Sequence, residues 1–323
     1  MNRKNYSSQT KIFSFLILFA LASNLSSDIE DNIALHKEQF SEVALKIWEY
    51  AELGYQETKS SNLLASELEK EGFKITKRVA GIPTAFVAEF GSSGPVIGIL
   101  GEFDALPGLA QTNSPFKEVA INDSGGGHAC GHHLFGAASA WAAVSIKEWL
   151  VENDIEGTVR FYGTPAEEGG SGKVYMVREG LFDDVDVVLH WHPDDVNSAN
   201  PKTSNSNKSA KFTFKGISAH AAGSPELGRS ALDGVEAMNM MVNMMREHIP
   251  QESRMHYVIT KGGLAPNVVP DLAEVYYYVR HPEMKVVEEL FQRVVKTAEG
   301  AARGTETKMT YEVMHGNYSL LPN

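Results

Sequence analysis

The sequence is poor in cysteine, with one, Cys130, among 323 residues. No intramolecular disulfide can form, so cross-links play no part in holding the fold. Positive charge is also short. Lys and Arg number 29 against 41 Asp and Glu, a formal net charge of −12. That excludes a chain built to grip phosphate backbones, which requires a basic face. There are no internal repeats or low-complexity tracts, which excludes repeat arrays. The apolar run "IFSFLILFALA", residues 12–22, is too short to span a bilayer comfortably.

That run has a different use. Arg3, Lys4 and Lys11 precede it, and Ala20-Leu21-Ala22 closes it with small residues where a signal peptidase reads. The pattern predicts a signal peptide over 1–22 and a secreted or periplasmic chain, with no membrane attachment once the signal is removed. An uncleaved anchor or a chance apolar start is the competing reading, and the second would leave the chain cytoplasmic. No cysteine follows the run, so lipoprotein processing is not expected. In an exported chain a lone thiol pairs with another molecule, stays free and reactive, or binds a metal. Cys130 lies in "GHACGHHLFG", among three histidines, which favours the metal.

What is present is ordinary globular material, 43% hydrophobic and 22% charged, long enough for two domains. Apolar residues at helical spacing over 30–53 and in "TKSSNLLASELEKEGF" predict two helices. "TAFVAEF", "PVIGILGEFDAL", "GTVRFYGTP" and "VDVVLHWHP" read as buried strands, with the small-residue helix "LFGAASAWAAVSIKEWL" among them. Alternating strands and helices predict an α/β layer with a mostly parallel sheet. The polar segment 193–209 is the linker. Beyond it a β-α-β-β-α-β order predicts a ferredoxin-like α+β domain. Methionines 238, 240, 241, 244 and 245 read as flexible core packing.

Four signals, each weak alone, fall at strand ends or in the loops leaving them. Cys130 and His132 form a Cys-x-His pair in a glycine-flanked turn, suited to zinc. His128 and His133 are either surface imidazoles or partners behind the ligands. In "GTPAEEGGSGK", Glu167 and Glu168 follow a strand. On extended chain their side chains diverge, so one can ligate a metal while the other reaches a bound water. In "LHWHP", His190 and His192 lie on one face of a strand. In "GEFDALPG", Asp104 can orient a ligand or hold a histidine's second nitrogen. Together they suggest one metal centre with a carboxylate base, built for hydrolysis.

"GEFDALPGLAQ", "GHACGHHLFGAAS", "GTPAEEGGSGK", "DVDVVLHWHP", "KGISAHAAGSPELGRSALD" and "GGLAPNVVPDLAEVYYYVR" keep their order from about residue 30 to the end. They resemble the aminobenzoyl-glutamate hydrolase group of the dinuclear-metal amidohydrolases, related to the aminoacylases and carboxypeptidase G. The resemblance implies two divalent ions, Zn or Mn, and cleavage of aminobenzoyl-glutamate or a related N-acyl amino acid or dipeptide. It implies Cys130, His132, Glu168 and His192 as metal ligands, with His190 a competitor for the last place. It implies Glu167 as general base and Asp104 as supporting carboxylate. His220 would stabilise the oxyanion in the partner subunit of a homodimer, while Asn267 and Arg280 would bind substrate.

The implied domains are a catalytic part over 30–205, a dimerisation domain over 206–316, and a return to the catalytic domain beginning at 317–323. Two departures stand out. His133 occupies a position where the family often carries Asn or Asp. The family also supplies further catalytic strands and a last histidine ligand after the dimerisation domain, whereas this sequence stops at "GNYSLLPN". His315 matches no family ligand motif. A truncated, inactive homologue that keeps only its dimerisation or interaction surface is therefore the rival expectation.

Overall fold

The structure is a computed structural model that describes residues 29–121, 124–199 and 203–320. The signal-peptide reading over 1–22 lies outside the described residues, as do the last three positions of the 317–323 segment. The chain divides into two compact units, with the boundary in sequence between Val196 and Asn197.

In the first unit, helix α1 (Lys37–Tyr50) buries Phe40, Val43, Ala44 and Ile47, one face at three-and-four spacing. Helix α2 (Thr58–Lys70) buries Leu64, Ala65 and Leu68, and Gly72, at φ +89°, turns the chain out of it. Strands β1 (Lys74–Lys77), β2 (Phe86–Phe90) and β3 (Val96–Gly101) follow. β1 reads "KITK", too polar to be expected as a strand, and it forms an edge where that polarity is tolerated. Leu106–Pro107 (β4) and Gly126–Gly127 (β5) make a short pair beside the sheet. Helix α3 (His132–Glu152) leads to β6 (Thr158–Gly163). The short helices α4 (Glu167–Gly170) and α5 (Gly172–Arg178) and strand β7 (Val187–Leu189) complete the unit.

The sheet order is β1-β2-β6-β3-β7. β6, β3 and β7 pair in parallel, and β2 is antiparallel to both β6 and β1. Four of the five strands therefore point the same way. Alternation along β3 and β6 divides the core. Ile99, Val159 and Phe161 pack with α1, α2 and α3, while Leu100 and Tyr162 face Ile82, Ala85 and Met176 on the other side. Small residues let α3 approach closely: a side chain at Gly136 would meet the Glu102 carbonyl oxygen at 2.7 Å.

The second unit contains β8 (Ser206–Lys215), α6 (Ala231–Met245), β9 (Arg254–Lys261), β10 (Leu272–His281), α7 (Met284–Gly304) and β11 (Lys308–Asn317). Its sheet is antiparallel in the order β11-β8-β10-β9, the ferredoxin-like arrangement. Ala273, Val275, Tyr277 and Val279 of β10 alternate into a core shared with both helices. Ser230 caps α6 by accepting the Asp233 N–H at 3.1 Å. The methionine reading needs correction. Met238 and Met245 are core, but Met240 and Met244 are 62% and 64% exposed, because the helical turn carries them to the opposite face.

A polar staple joins the helices of the first unit. His36 Nε2 lies 2.8 Å from Glu148 Oε1 and Nδ1 lies 3.0 Å from Gln39 Oε1, with Glu71 at 4.0 Å. Burial opposes the imidazolium, but Gln39, Glu148 and Glu71 outweigh it and raise the His36 pKa above 6.5. Folding then binds the proton, so the staple contributes fully below pH 6.5 and fades as pH rises through the raised value. Solvent screening limits it to about 0.2–1 kcal/mol. Thermal unfolding of wild type and His36→Asn should differ most below pH 6.5 and converge at alkaline pH. An equal gap at pH 6 and pH 9 would count against the staple.

Candidate metal centre

Parallel strands end on the same side, and here the ends carry the chemistry. Glu102 follows the last residue of β3, His190 follows the last residue of β7, and Glu167 and Glu168 lie just past β6. The carboxyl edge of a parallel sheet is where α/β proteins place ligand sites. Helix α3 begins at the same edge, so His132 in its first turn faces Glu102 and Glu168.

His132 is fully buried and gripped at both nitrogens. Its Nδ1 lies 3.1 Å from Asp104 Oδ1 and 3.0 Å from the Asp104 carbonyl oxygen, so Nδ1 donates the proton. Its Nε2 faces Glu102 Oε2 at 3.0 Å and Glu168 Oε1 at 4.0 Å. Burial opposes charge on the ring, yet the Asp104 and Glu102 carboxylates prevail and raise its pKa to about 10. Burial also acts against the Glu102 carboxylate. His132, His190 and Lys173 outweigh that and hold it well below the usual carboxylate range. Lys173 Nζ donates to Glu102 Oε1, and His190 Nε2 is 3.5 Å from the same oxygen.

Cys130 lies just ahead of His132. Its Sγ is 3.3 Å from His192 Nε2. The turn depends on Gly131, whose φ is +78° and where a Cβ would meet Pro193 at 3.0 Å. Both conditions disfavour a side chain. They let the "CGH" turn close onto the "HWHP" segment. Burial, then the carboxylates of Glu168, Glu167 and Glu102, push the thiol up to about 12.

The turn carrying Glu167 and Glu168 is not extended chain. The two residues open the short helix α4. Ala166 before it has φ 56° and ψ 43°, which redirects the chain out of β6. That conformation costs a non-glycine residue about 1–2 kcal/mol. Glu168, at φ −68° and ψ 78°, is neither extended nor helical, so divergence along a strand does not describe the pair; the tight turn keeps both carboxylates near the site. The Glu168 N–H donates to Asp104 Oδ2 at 2.8 Å. Burial, with the neighbouring carboxylates, raises the pKa of Glu167 and of Glu168. β7 ends at Leu189, before His190, so strand alternation does not place His192 either. The irregular chain after it brings His192 to Cys130 and His190 to Glu102.

The donor atoms of Cys130, His132 and His192 lie within 4.8 Å of one another, and those of Glu102, His132 and Glu167 do likewise. Among the described residues, His132 Nε2, Glu102 Oε2 and Glu168 Oε1 are buried with no aligned hydrogen bond. Soft sulfur, imidazole and carboxylate oxygen converging on such atoms fit a divalent cation. Glu167 groups with Glu102 and His132, and Glu168 Oε1 lies 4.0 Å from the same His132 Nε2. Glu102 was missed in the sequence, although it lies two residues before Asp104 directly after a strand. His128 is buried, with Nε2 3.0 Å from the Ile47 carbonyl. Its ring lies 5.2 Å from that of His133. Burial lowers the pKa of each to about 4.

The remaining sequence candidates belong to the second unit. His220 is exposed, and its Nδ1 accepts the N–H groups of Ala222 at 3.2 Å and Gly223 at 3.0 Å. That fixes the proton on Nε2 in the neutral ring. Asn267 is exposed, and its carbonyl accepts the Ala221 N–H at 3.0 Å. The Arg280 guanidinium lies over the Tyr278 ring at 4.9 Å. His315 is buried in β11, with Nδ1 3.1 Å from Ser209 Oγ and Nε2 3.0 Å from Asn207 Nδ2.

The sequence profile of Peptidase family M20/M25/M40 matches residues 98–317. The chain is 47% identical over 296 residues to a p-aminobenzoyl-glutamate hydrolase subunit of Escherichia coli, covering 91% of this chain and 62% of that one. It is 31% identical to mouse Xaa-Arg dipeptidase, covering 88% and 65%. The chain thus spans less than two thirds of the length of these curated relatives. An aminobenzoyl-glutamate utilization protein from Klebsiella pneumoniae superposes with TM-score 0.66 at 18% identity, over 91% of this chain and 80% of that one. A dinuclear metal-binding peptidase of the M20 family from Bacillus subtilis gives 0.56 at 23%, over 89% and 76%. These two show the shared fold.

A ligand role for Cys130 has a direct check. Cys130→Ser should weaken Zn²⁺ binding by more than about tenfold, since even partners behind the ligands are worth that much. Unfolding without metal should be unchanged. Equal affinity in a chelator competition would remove Cys130 from the ligand set.

Proposed function

The chain belongs to Peptidase family M20/M25/M40, and on that footing we propose that it is a metal-dependent amidohydrolase. The amide it cleaves is that of aminobenzoyl-glutamate or a related N-acyl amino acid or dipeptide. One observation carries the reading: a buried imidazole, a thiol and carboxylates converge at the carboxyl edge of the sheet, with ligand atoms within 4.8 Å of one another in two groups that share His132. The substrate class rests on the 47% identical hydrolase.

Cys130, His132, Glu168 and His192 would hold two divalent cations, Zn or Mn, with Glu102 beside them. When bound, the metal supplies Lewis-acid polarisation of the carbonyl and acidifies water. The protein's own residues do the rest. Glu167 accepts a proton from the attacking water and returns it to the leaving amine as the C–N bond breaks. Its raised pKa favours that return. Asp104 fixes the ring of His132 and, through the Glu168 N–H, the backbone of the carboxylate pair. His220 carries its proton on Nε2 and serves as oxyanion donor in a homodimer, and Arg280 and Asn267 take the substrate carboxylate. The exposed apolar row of Met240 and Met244 supports association through the second unit.

The test is release of p-aminobenzoate from aminobenzoyl-glutamate, alongside hippurate and Xaa-Arg dipeptides, with Zn²⁺ or Mn²⁺ added. Wild type should turn over at least one of them. Glu167→Gln should lower kcat by about 10²–10⁴-fold while metal content holds. No turnover by wild type would overturn the reading, and an unchanged kcat would overturn the role of Glu167.

A further inference from the structure

Glu57 is a carboxylate with no place in the chemistry above, yet it is fully buried. Burial, partly offset by its hydrogen bonds, raises its pKa to about 7. A position that needed only packing would be filled more cheaply by an apolar side chain. Its hydrogen bonds show what the carboxylate does there. Oε2 accepts the Thr84 hydroxyl at 2.9 Å, and the Thr84 carbonyl in turn accepts the Ser61 hydroxyl at 2.8 Å, which anchors the group to α2. Oε1 accepts the Ala166 N–H at 2.8 Å.

Ala166 is the left-handed residue that turns the chain from β6 into the Glu167–Glu168 pair. The surrounding segment grips the same turn. Gly54 packs on Ala166, with room for no side chain beyond 3.1 Å, and the Tyr55 hydroxyl donates to the Gly170 carbonyl at 2.5 Å. We infer that Glu57 is a positioning residue: by holding the Ala166 N–H it fixes the turn that aims Glu167 and Glu168 at the cation site. It acts through backbone and touches neither substrate nor metal. This rests on the metal-centre reading above.

The test is Zn²⁺ affinity of the full chain by chelator competition, with circular dichroism to confirm folding. Glu57→Gln keeps an acceptor for the Ala166 N–H and should stay within about threefold of wild type. Glu57→Met fills the space without that acceptor and should bind about 10–100-fold more weakly. Adding Ala166→Gly to Glu57→Met should restore affinity to near wild type, because glycine adopts the left-handed turn without a clamp. A merely structural loss would not be repaired this way. Unchanged affinity in Glu57→Met overturns the inference, as does a double variant that is unfolded or still weak. The double variant decides the matter if Glu57→Met does not fold. A wild-type chain that binds no Zn²⁺ overturns the metal-centre reading itself, which tight wild-type binding indifferent to Glu57→Met does not.

Discussion

Everything at the carboxyl edge of the sheet is arranged around one buried imidazole. His132 is fully buried, and Glu102 and Asp104 beside it are 2% and 1% exposed. Three ionisable groups so far from water are tolerated only if they satisfy one another. Asp104 takes Nδ1, Glu102 faces Nε2, and Lys173 and His190 balance the outer oxygen of Glu102. The fold maintains that balance by close approach of backbone. Gly136 brings α3 against Glu102, and Gly131 brings the Cys130 turn against Pro193. A bulkier residue at either would separate groups whose charges depend on contact.

The same arrangement explains why three parallel strands suffice to build the site. β3 delivers Glu102 and Asp104, β6 leads to Glu167 and Glu168, and β7 leads to His190 and His192. Each contribution lies past the last strand residue, where the backbone is no longer committed to sheet hydrogen bonds. Asp104 ties this edge to helix α3: its Oδ1 faces the His132 ring and its Oδ2 accepts the Glu168 N–H. A single carboxylate thus sets the spacing between the imidazole and the carboxylate pair.

Much of this was legible in the sequence because short-range patterns carry it. The strand ends, the Cys-x-His turn and the β-α-β-β-α-β order are written in periodicity and glycine. What was not legible depends on backbone choices that periodicity does not encode. "PAEE" gives no sign that Ala166 is left-handed, so the pair reads as extended when it lies in a tight turn. β1 reads "KITK" and is recruited by pairing with β2 rather than by its own apolar content. Glu102 is overlooked because Asp104, two residues on, already accounts for a carboxylate there. The two act on opposite nitrogens of one ring, which only the fold reveals.

Ala166 poses the remaining question: why a residue with a side chain stands where glycine would be unstrained. The strain is about 1–2 kcal/mol. One hydrogen bond to a carboxylate is worth about 1.5–3 kcal/mol, enough to offset it. Glycine would remove the strain and also the methyl, and the methyl is enclosed. A Cβ at Gly54 would lie 3.1 Å from it and one at Gly170 would lie 2.7 Å away, so glycine at both positions makes room. The methyl therefore fills the space the two glycines leave, while the Glu57 hydrogen bond on the N–H holds the strained turn. Strain persists where its surroundings over-determine it. Here they hold the carboxylate pair in one geometry, at the edge where the His132 Nε2 and Glu102 Oε2 atoms face each other at 3.0 Å.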